Sequence, residues 1–151
     1  MRFINQRPSW TKYFLDIASL VATRSTCLRA QHGSVLVRGK QILSTGYNGA
    51  PSGVPHCLSC ERAKQGCLPG QRYELCSSVH SEANAIAQAA KHGTKTEGAS
   101  LYVTGPPCCL CARLIINSGI KEVVFPLSDR YHSEDTGVEI LRSVGVEVRN
   151  G

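Results

Sequence analysis

Two short segments of the sequence place metal-binding side chains at the starts of predicted helices. His80 opens the segment "HSEANAIAQAAKHG", and Cys108 and Cys111 follow two prolines in "TGPPCCLCARLIINSGI". Cysteines at i and i+3 lie on one face of a helical turn, where the positive end of the helix dipole favours thiolates. One imidazole and two thiolates, with a fourth position open, form the ligand set of a catalytic zinc ion. The sequence therefore predicts a zinc site formed by His80, Cys108 and Cys111.

A carboxylate two residues beyond the histidine gives this predicted site a proton carrier. Glu82 can reach water at the open position without ligating the ion, so it can act as a general acid and base. Each element alone has other interpretations, since a CxxC pair is also a redox motif or half of a structural zinc site. Combined, H-x-E followed by P-C-x-x-C matches the signature of zinc-dependent deaminases.

Alternating helices and strands must position these side chains. Apolar residues at helical spacing predict a helix from 9 to about 24, and two apolar runs around a turn at 38–41 predict a β-hairpin. The order predicts an α/β fold with right-handed crossovers and helices that cover a sheet. Beyond the first helix, strands are predicted at 34–37, 42–46, 100–103, 122–125 and 146–148, and helices at 80–92, 108–118 and 136–144.

Length and charge limit the classes of protein to consider. With 151 residues the chain is long enough for one domain with a hydrophobic core, so we predict a single domain over 1–151. There is no signal-peptide pattern and no apolar run long enough to cross a membrane, and we expect a soluble cytoplasmic protein. The formal net charge of +6 favours an anionic partner, but the Lys and Arg residues are scattered. That pattern fits a phosphorylated small molecule, nucleic acid or a solvated surface of mixed charge.

The segment 47–76 is an irregular insert. It has neither helical nor strand periodicity and is rich in Gly, Pro and Cys. An insert of this length needs something other than an apolar core to order it. The chain has eight cysteines, and without a secretory signal their thiols are expected to stay reduced, which favours metal binding over disulfides. We therefore expect metal ligation to hold this Cys-rich insert.

Further motifs resemble the zinc-dependent cytidine and deoxycytidylate deaminases, most closely the deoxycytidylate branch. They run over nearly the whole chain: "RSTC", "GYNGAPSGVPHC", "HSEANAI", "LYVTGPPCCLC", "SGIKEVVF" and "SDRYHSED". The resemblance implies a three-layer αβα fold, in which a central mixed sheet of about five strands carries helices on both faces. It also implies zinc-dependent hydrolysis of dCMP to dUMP and ammonia, which supplies dUMP for thymidylate synthesis, with Glu82 as the catalytic residue.

The same resemblance implies substrate contacts and an assembly. By position, Asn48 contacts the phosphate or sugar, Asn84 the sugar and Tyr131 the nucleotide. A homo-oligomer is implied, with a hexamer favoured, together with dCTP and dTTP as effectors that bind with Mg²⁺. Ser81 stands where many relatives have alanine, a change for which little consequence is expected. The segment "CSSVH" lacks an arginine that several relatives carry before the histidine, so the identity of the phosphate-binding cation stays open.

A second zinc ion is implied for the insert. Its ligands would be four cysteines, which make a closed tetrahedral structural site. The implied set is Cys27, Cys57, Cys67 and Cys76, with Cys60 or His56 as an alternative for one of them.

Two other hypotheses stay open. One is a deaminase that acts on a nucleoside, a free base or a base in tRNA. A flipped base in nucleic acid requires an extended basic or aromatic surface, which the sequence lacks, so no nucleic-acid partner is expected. No membrane partner is expected either, because no apolar run is long enough to span a membrane. The other is a non-catalytic zinc module. Glu82 argues against it, because a structural site needs no carboxylate beside an open position.

Overall fold

Five strands form one mixed sheet in the computed structural model, which describes residues 7–127 and 136–151. The spatial order of the strands is β2-β1-β3-β4-β5. Their bounds are β1 (Gly33–Arg38), β2 (Gln41–Tyr47), β3 (Ser100–Val103), β4 (Glu122–Phe125) and β5 (Glu147–Asn150). Each of the five strands predicted from the sequence is therefore present.

Helices lie on both faces of the sheet, which confirms the expected three-layer αβα fold. They are α1 (Trp10–Ala22), α2 (Glu61–Lys64), α3 (Ser81–Lys91), α4 (Cys109–Asn117) and α5 (Thr136–Ser143), with a 3₁₀ turn at Tyr73–Leu75. The four longer helices are those predicted from the sequence, and their ends differ by a few residues. The short α2 and the 3₁₀ turn lie in the insert and were not predicted, because elements of about one turn have no apolar period to detect.

Strand directions change within the sheet. β1 is antiparallel to both β2 and β3, whereas β3, β4 and β5 are parallel. Gly39 and Lys40 join β1 to β2 with positive φ angles of 56° and 64°, which is the conformation of a two-residue type I′ hairpin turn. The pairing of Ser34 with Val103 puts the start of β1 beside the end of β3. The loop that leads to α4 follows β3 and leaves the sheet at this end of the two strands.

Two apolar layers pack on the two faces of the sheet. Because successive strand residues point to opposite faces, neighbouring residues of one strand belong to different layers. The layer under α1 contains Phe14, Leu15, Ala18, Val35, Val37, Tyr102 and Val124. The layer under α3, α4 and α5 contains Leu36, Ala85, Ala89, Leu101, Val103, Ala112, Ile115, Val123 and Leu141.

Alanines and a glycine allow α3 to lie close to the sheet. Ala85 and Ala89 are fully buried against it. At Gly46 in β2, a Cβ atom would lie 2.3 Å from the Ser81 carbonyl oxygen and 2.3 Å from the Ala85 nitrogen, too close for any side chain. The glycine of the "GYNG" motif is thus required for the close approach of β2 to the first turn of α3.

The insert is closed at its base by a short antiparallel bridge. The Gly49 nitrogen donates to the Val79 oxygen at 3.1 Å, and the Val79 nitrogen donates to the Gly49 oxygen at 2.8 Å. This bridge places the end of the insert beside β2, directly before His80. Among the described helices, none is long and apolar enough to span a membrane.

Candidate active site

The three predicted metal ligands converge where α3 and α4 begin. His80 is the N-cap of α3 and Cys108 is the N-cap of α4, both with extended backbone. Neither side chain makes a capping hydrogen bond to its own helix, so both can point to a shared site. Cys111, in the first turn of α4, is 2% exposed. The two helix starts therefore supply one imidazole and two sulfur atoms to a single point.

The distances among these atoms fit zinc. The His80 Nδ1 atom lies 3.4 Å from the Cys108 sulfur and 3.5 Å from the Cys111 sulfur, and all three ligand atoms lie within 4.8 Å of one another. In a tetrahedral site with Zn–N about 2.0 Å and Zn–S about 2.3 Å, nitrogen and sulfur ligands are about 3.5 Å apart. The donor set and its spacing are thus those of a zinc centre with three protein ligands.

The electrostatics of the site also favour a cation. A hydrogen bond between the two sulfurs lowers the pKa of Cys108 and raises the pKa of Cys111, so the pair shares one proton. The hydrogen bond to Cys108 raises the pKa of His80, and burial opposes that effect. A cation that ligates both sulfurs displaces the shared proton, because thiolates are the metal-binding form.

Glu82 is buried beside these ligands. It is 6% exposed, and burial raises the pKa of its carboxyl above the ordinary value. Glu82 lies in the first turn of α3, two residues after His80. Its charge contributes to raising the pKa values of His80 and Cys111. A carboxyl group with a raised pKa can hold and release a proton nearer to neutral pH, as a general acid and base must.

Close packing of α5 fixes the loop that carries Cys108. A Cβ atom at Gly137 would lie 2.0 Å from the Pro107 oxygen and 2.7 Å from the Cys108 carbonyl carbon. Only glycine allows α5 to approach this backbone. The position of one metal ligand therefore depends on a residue that follows it by 29 positions in the sequence.

Two residues of the insert support His80 and were not predicted. The Tyr73 ring packs edge-on against the His80 imidazole, with ring centroids 4.8 Å apart. The buried Arg62 guanidinium lies 4.7 Å from the centroid of the Tyr73 ring. Arg62 also donates from Nε to the Gln71 oxygen at 2.7 Å and from Nη2 to the Leu68 oxygen at 3.4 Å. The sequence shows an arginine and a tyrosine in the Cys-rich insert, but it does not show that they lie beside His80, because only the fold brings them there.

His32 is a second neighbour that sequence reasoning missed. Burial, together with the charge of His80, lowers the pKa of His32 and favours a neutral imidazole. Its Nδ1 atom lies 3.3 Å from the Thr104 hydroxyl, and that hydroxyl also accepts from the Gly33 nitrogen. A histidine directly before the first strand was its only signal in the sequence.

The predicted substrate contacts have different surroundings. Asn48 is buried; its Oδ1 accepts from the His32 nitrogen and its Nδ2 donates to the Ala30 oxygen, both at 2.8 Å. Asn84 lies in the first turn of α3 and donates from Nδ2 to the Tyr47 oxygen at 2.7 Å. The two amides therefore tie the "GYNG" turn to its neighbours. Tyr131 and its motif at 128–135 lie outside the described residues.

The predicted ligands of a second zinc ion are spread over the insert. Of the residues that the structure describes, the group of His80, Cys108 and Cys111 is alone in having three or more metal-binding atoms close enough to hold an ion. Cys57 instead lies 3.3 Å from the Ser77 hydroxyl, and Cys27 accepts a long hydrogen bond from the Arg29 nitrogen. Arg29 in turn donates to the Cys67 oxygen. The second zinc site, including its Cys60 and His56 alternatives, stays a prediction.

Comparison with known proteins agrees with this geometry. The model of the cytidine and deoxycytidylate deaminase zinc-binding region matches residues 8–127. Over 125 residues, the chain is 43% identical to the deoxycytidylate deaminase of Mycobacterium phage D29, covering 80% of this chain and 96% of that protein. Over 145 residues, it is 38% identical to the deoxycytidylate deaminase of Schizosaccharomyces pombe, covering 95% of this chain and 44% of that protein.

A solved structure extends the similarity to the fold. The crystal structure of dCMP deaminase from the cyanophage S-TIM5, in complex with dCMP and dUMP, superposes with a TM-score of 0.80 at 29% sequence identity. The match covers 96% of this chain and 98% of that chain. The chain is thus similar to the phage proteins over nearly their whole length and to less than half of the yeast protein.

Proposed function

Because this chain belongs to the cytidine and deoxycytidylate deaminase family, we propose that it hydrolyses dCMP to dUMP and ammonia. The convergence of His80, Cys108 and Cys111 beside the buried Glu82 is the observation that carries this proposal. Three ligands leave one position open for chemistry, and a carboxylate with a raised pKa stands next to it. A purely structural metal site requires neither feature.

The reaction exchanges an amino group for oxygen at C4 of the cytosine ring. Zinc held by the three ligands would supply the Lewis acidity that makes water a nucleophile near neutral pH. Glu82 takes a proton from the attacking water and gives it to N3 of the base. It then transfers the second proton to the amino nitrogen, so that the C4–N bond breaks and ammonia leaves. A positioned acid and base of this kind contributes roughly 10²- to 10⁴-fold to the rate.

We further propose that Asn48, Asn84 and Tyr131 contact the nucleotide. Asn48 and Asn84 are supported by their connection through the "GYNG" turn to the start of α3, the helix that also carries Glu82. The net charge of +6 suits a phosphorylated substrate. A site that hydrogen-bonds a phosphate discriminates against the nucleoside, because its donors are then left unpaired.

The remaining proposals rest on the family resemblance. They are a second, structural zinc ion in the insert, dCTP and dTTP as effectors with Mg²⁺, assembly as a hexamer, and a cytoplasmic role in supplying dUMP.

Ammonia release from a panel of substrates tests the assignment. The zinc-loaded protein should be incubated with the nucleotide, nucleoside and free-base forms of cytosine and adenine. We expect kcat/KM for dCMP to be well above that for deoxycytidine, and ammonia release by the Glu82→Gln variant to be roughly 10²- to 10⁴-fold slower. Equal efficiency on nucleotide and nucleoside, or activity on adenine substrates alone, would overturn the choice of dCMP and leave the deaminase chemistry standing.

A further inference from the structure

Two buried serine side chains meet behind Glu82. Ser34 at the start of β1 and Ser81, the first residue of α3, are both 0% exposed, and their Oγ atoms lie 2.7 Å apart. The Ser81 Oγ also donates to the Glu82 Oε2 atom at 3.1 Å. Three side chains from two elements therefore form a continuous, buried chain of hydrogen bonds that ends on the carboxylate.

The direction of these hydrogen bonds follows from the number of protons that each serine can donate. A serine hydroxyl has one proton to donate. Ser81 uses its proton on the Glu82 carboxylate, so Ser34 must donate to Ser81. Both hydroxyl protons then point toward Glu82. An ordered chain of donors polarises each of its members and strengthens the last hydrogen bond.

The position of Ser34 makes the pair more than a chance contact. Its neighbours Val35, Leu36 and Val37 are buried apolar residues of the core. A hydroxyl in such surroundings is destabilising unless it is hydrogen-bonded. Ser81 is held in place from the other side, because its carbonyl oxygen abuts Gly46, where no side chain fits. The two serines thus satisfy each other at a fixed separation.

We propose that Ser81, supported by Ser34, is a positioning residue that holds the Glu82 carboxylate in one orientation beside the metal ligands. The proposal rests on the proposed deaminase function of the site. Proton transfer requires hydrogen-bond reach of the reacting atoms, and a small misplacement of the carboxylate lowers the rate steeply. Fixing Oε2 removes rotamers of Glu82 that point away from the substrate. Ser81 therefore has a role that the sequence did not predict.

A double-mutant cycle with Ser81→Ala and Ser34→Ala tests this role. With dCMP, we expect Ser81→Ala to lower kcat roughly tenfold while KM and zinc content stay nearly unchanged. Ser34→Ala should lower kcat less, and the double variant should match Ser81→Ala in kcat. Stability to denaturant should follow a different order. Ser81→Ala leaves the buried Ser34 hydroxyl without its partner, whereas the double variant removes both hydroxyls and should recover part of the lost stability.

Ser44 provides a matched control. Its hydroxyl donates to the Ala85 oxygen of α3 at 2.7 Å, one turn beyond Ser81. Ser44→Ala should lower stability without changing kcat. If kcat of the double Ser34/Ser81 variant recovers together with its stability, the serines are merely structural and the proposal fails. It fails equally if Ser81→Ala keeps wild-type kcat.

A second cycle separates this proposal from the deaminase function itself. The free energy of unfolding should be measured for Ser81→Ala, Glu82→Ala and their combination, which needs no substrate. We expect Ser81→Ala to be less destabilising when Glu82 is absent, because its hydrogen-bond partner is already lost. Additive effects would contradict the hydrogen bond even in an active enzyme. If the wild-type protein is inactive on dCMP but the effects of Ser81→Ala and Glu82→Ala on the free energy of unfolding are not additive, only the proposed function is overturned.

Discussion

The Tyr73 ring packs edge-on against the imidazole of His80, with centroids 4.8 Å apart. The contact joins the irregular insert to a metal ligand. Arg62 reinforces it by lying over the tyrosine ring and by donating to two carbonyl oxygens of the insert. Order in the insert and the orientation of His80 are therefore linked.

The first prediction is that Arg62→Met loosens the insert. The variant keeps the length of the side chain but leaves the Leu68 and Gln71 carbonyls without this donor, at a cost of about 1–3 kcal/mol in stability. Amide hydrogen exchange over 61–76 should speed up, and zinc should dissociate faster. Lys64→Met is the control, because the Lys64 side chain of the same helix is 58% exposed. Unchanged exchange in Arg62→Met would show that Arg62 does not order the insert.

A second prediction separates proton transfer from metal binding. Glu82→Gln should keep zinc and the fold while kcat falls by roughly 10²- to 10⁴-fold, because the carboxylate moves protons and does not ligate the ion. His80→Ala or Cys108→Ser should lose the ion. Metal analysis and dCMP kinetics on each variant test this prediction. Glu139→Gln is the control, because Glu139 is exposed. Near wild-type turnover by Glu82→Gln would refute the mechanism.

Third, metal analysis should find close to two zinc ions per chain. The four proposed ligands, Cys27, Cys57, Cys67 and Cys76, are half-buried, and a closed site would offset the entropy of ordering a segment with few apolar residues. Cys57→Ser should then loosen the insert before it affects the chemistry. The second site would be contradicted by a content of one zinc ion per chain together with alkylation of Cys27, Cys57, Cys67 and Cys76 in the native protein.

Fourth, Asn48→Ala should reduce kcat/KM for dCMP more than for deoxycytidine. It should also lower the free energy of unfolding by about 1–3 kcal/mol, because the His32 nitrogen and the Ala30 oxygen lose their partner. Asn117→Ala, which removes an exposed amide at the end of α4, is the control. A loss of stability with equal effects on both substrates would make Asn48 a structural residue only.

The fifth prediction concerns stability at acid pH. Burial acts to raise the pKa of Glu122, but hydrogen bonds from Ser100 and Arg149 outweigh it, so the pKa is lowered on folding. The charged form therefore stabilises the native state above the ordinary glutamate pKa, and this contribution is lost as pH falls through the lowered value. Glu122→Gln should be less stable than wild type near neutral pH by a few tenths to about 1 kcal/mol.

Denaturant unfolding over a range of pH measures this effect. The difference between wild type and Glu122→Gln should shrink toward zero as pH falls through the pKa of Glu122, which lies below the ordinary glutamate value. Glu147→Gln is the control, because Glu147 lies 3.5 Å from the same arginine but is 64% exposed. A difference that persists at acid pH would mean that the ion pair with Arg149 is not its source.

Local patterns were sufficient to predict most of the fold and the group of His80, Cys108 and Cys111 that could hold a metal ion. Short apolar runs define the strands, and helical spacing defines the four longer helices, because each pattern is complete within a few residues. His80, Glu82, Cys108 and Cys111 were predictable for a similar reason. Each lies at a helix start, and a helix start fixes the direction of its first side chains regardless of the rest of the fold.

The sequence by itself thus determined the types of side chain at the site, an imidazole, two thiols and a carboxyl group, and the α/β elements that carry them. The tertiary structure decided which distant residues support them. Ser34 meets Ser81 across 47 positions, and Gly137 meets the backbone of Cys108 across 29 positions. No periodic pattern encodes such contacts, because they arise from the pairing of β1 with β3 and the packing of helices on that sheet. The pairing of Ser34 with Ser81 and the placement of the Cys108 backbone are therefore properties of the packed fold.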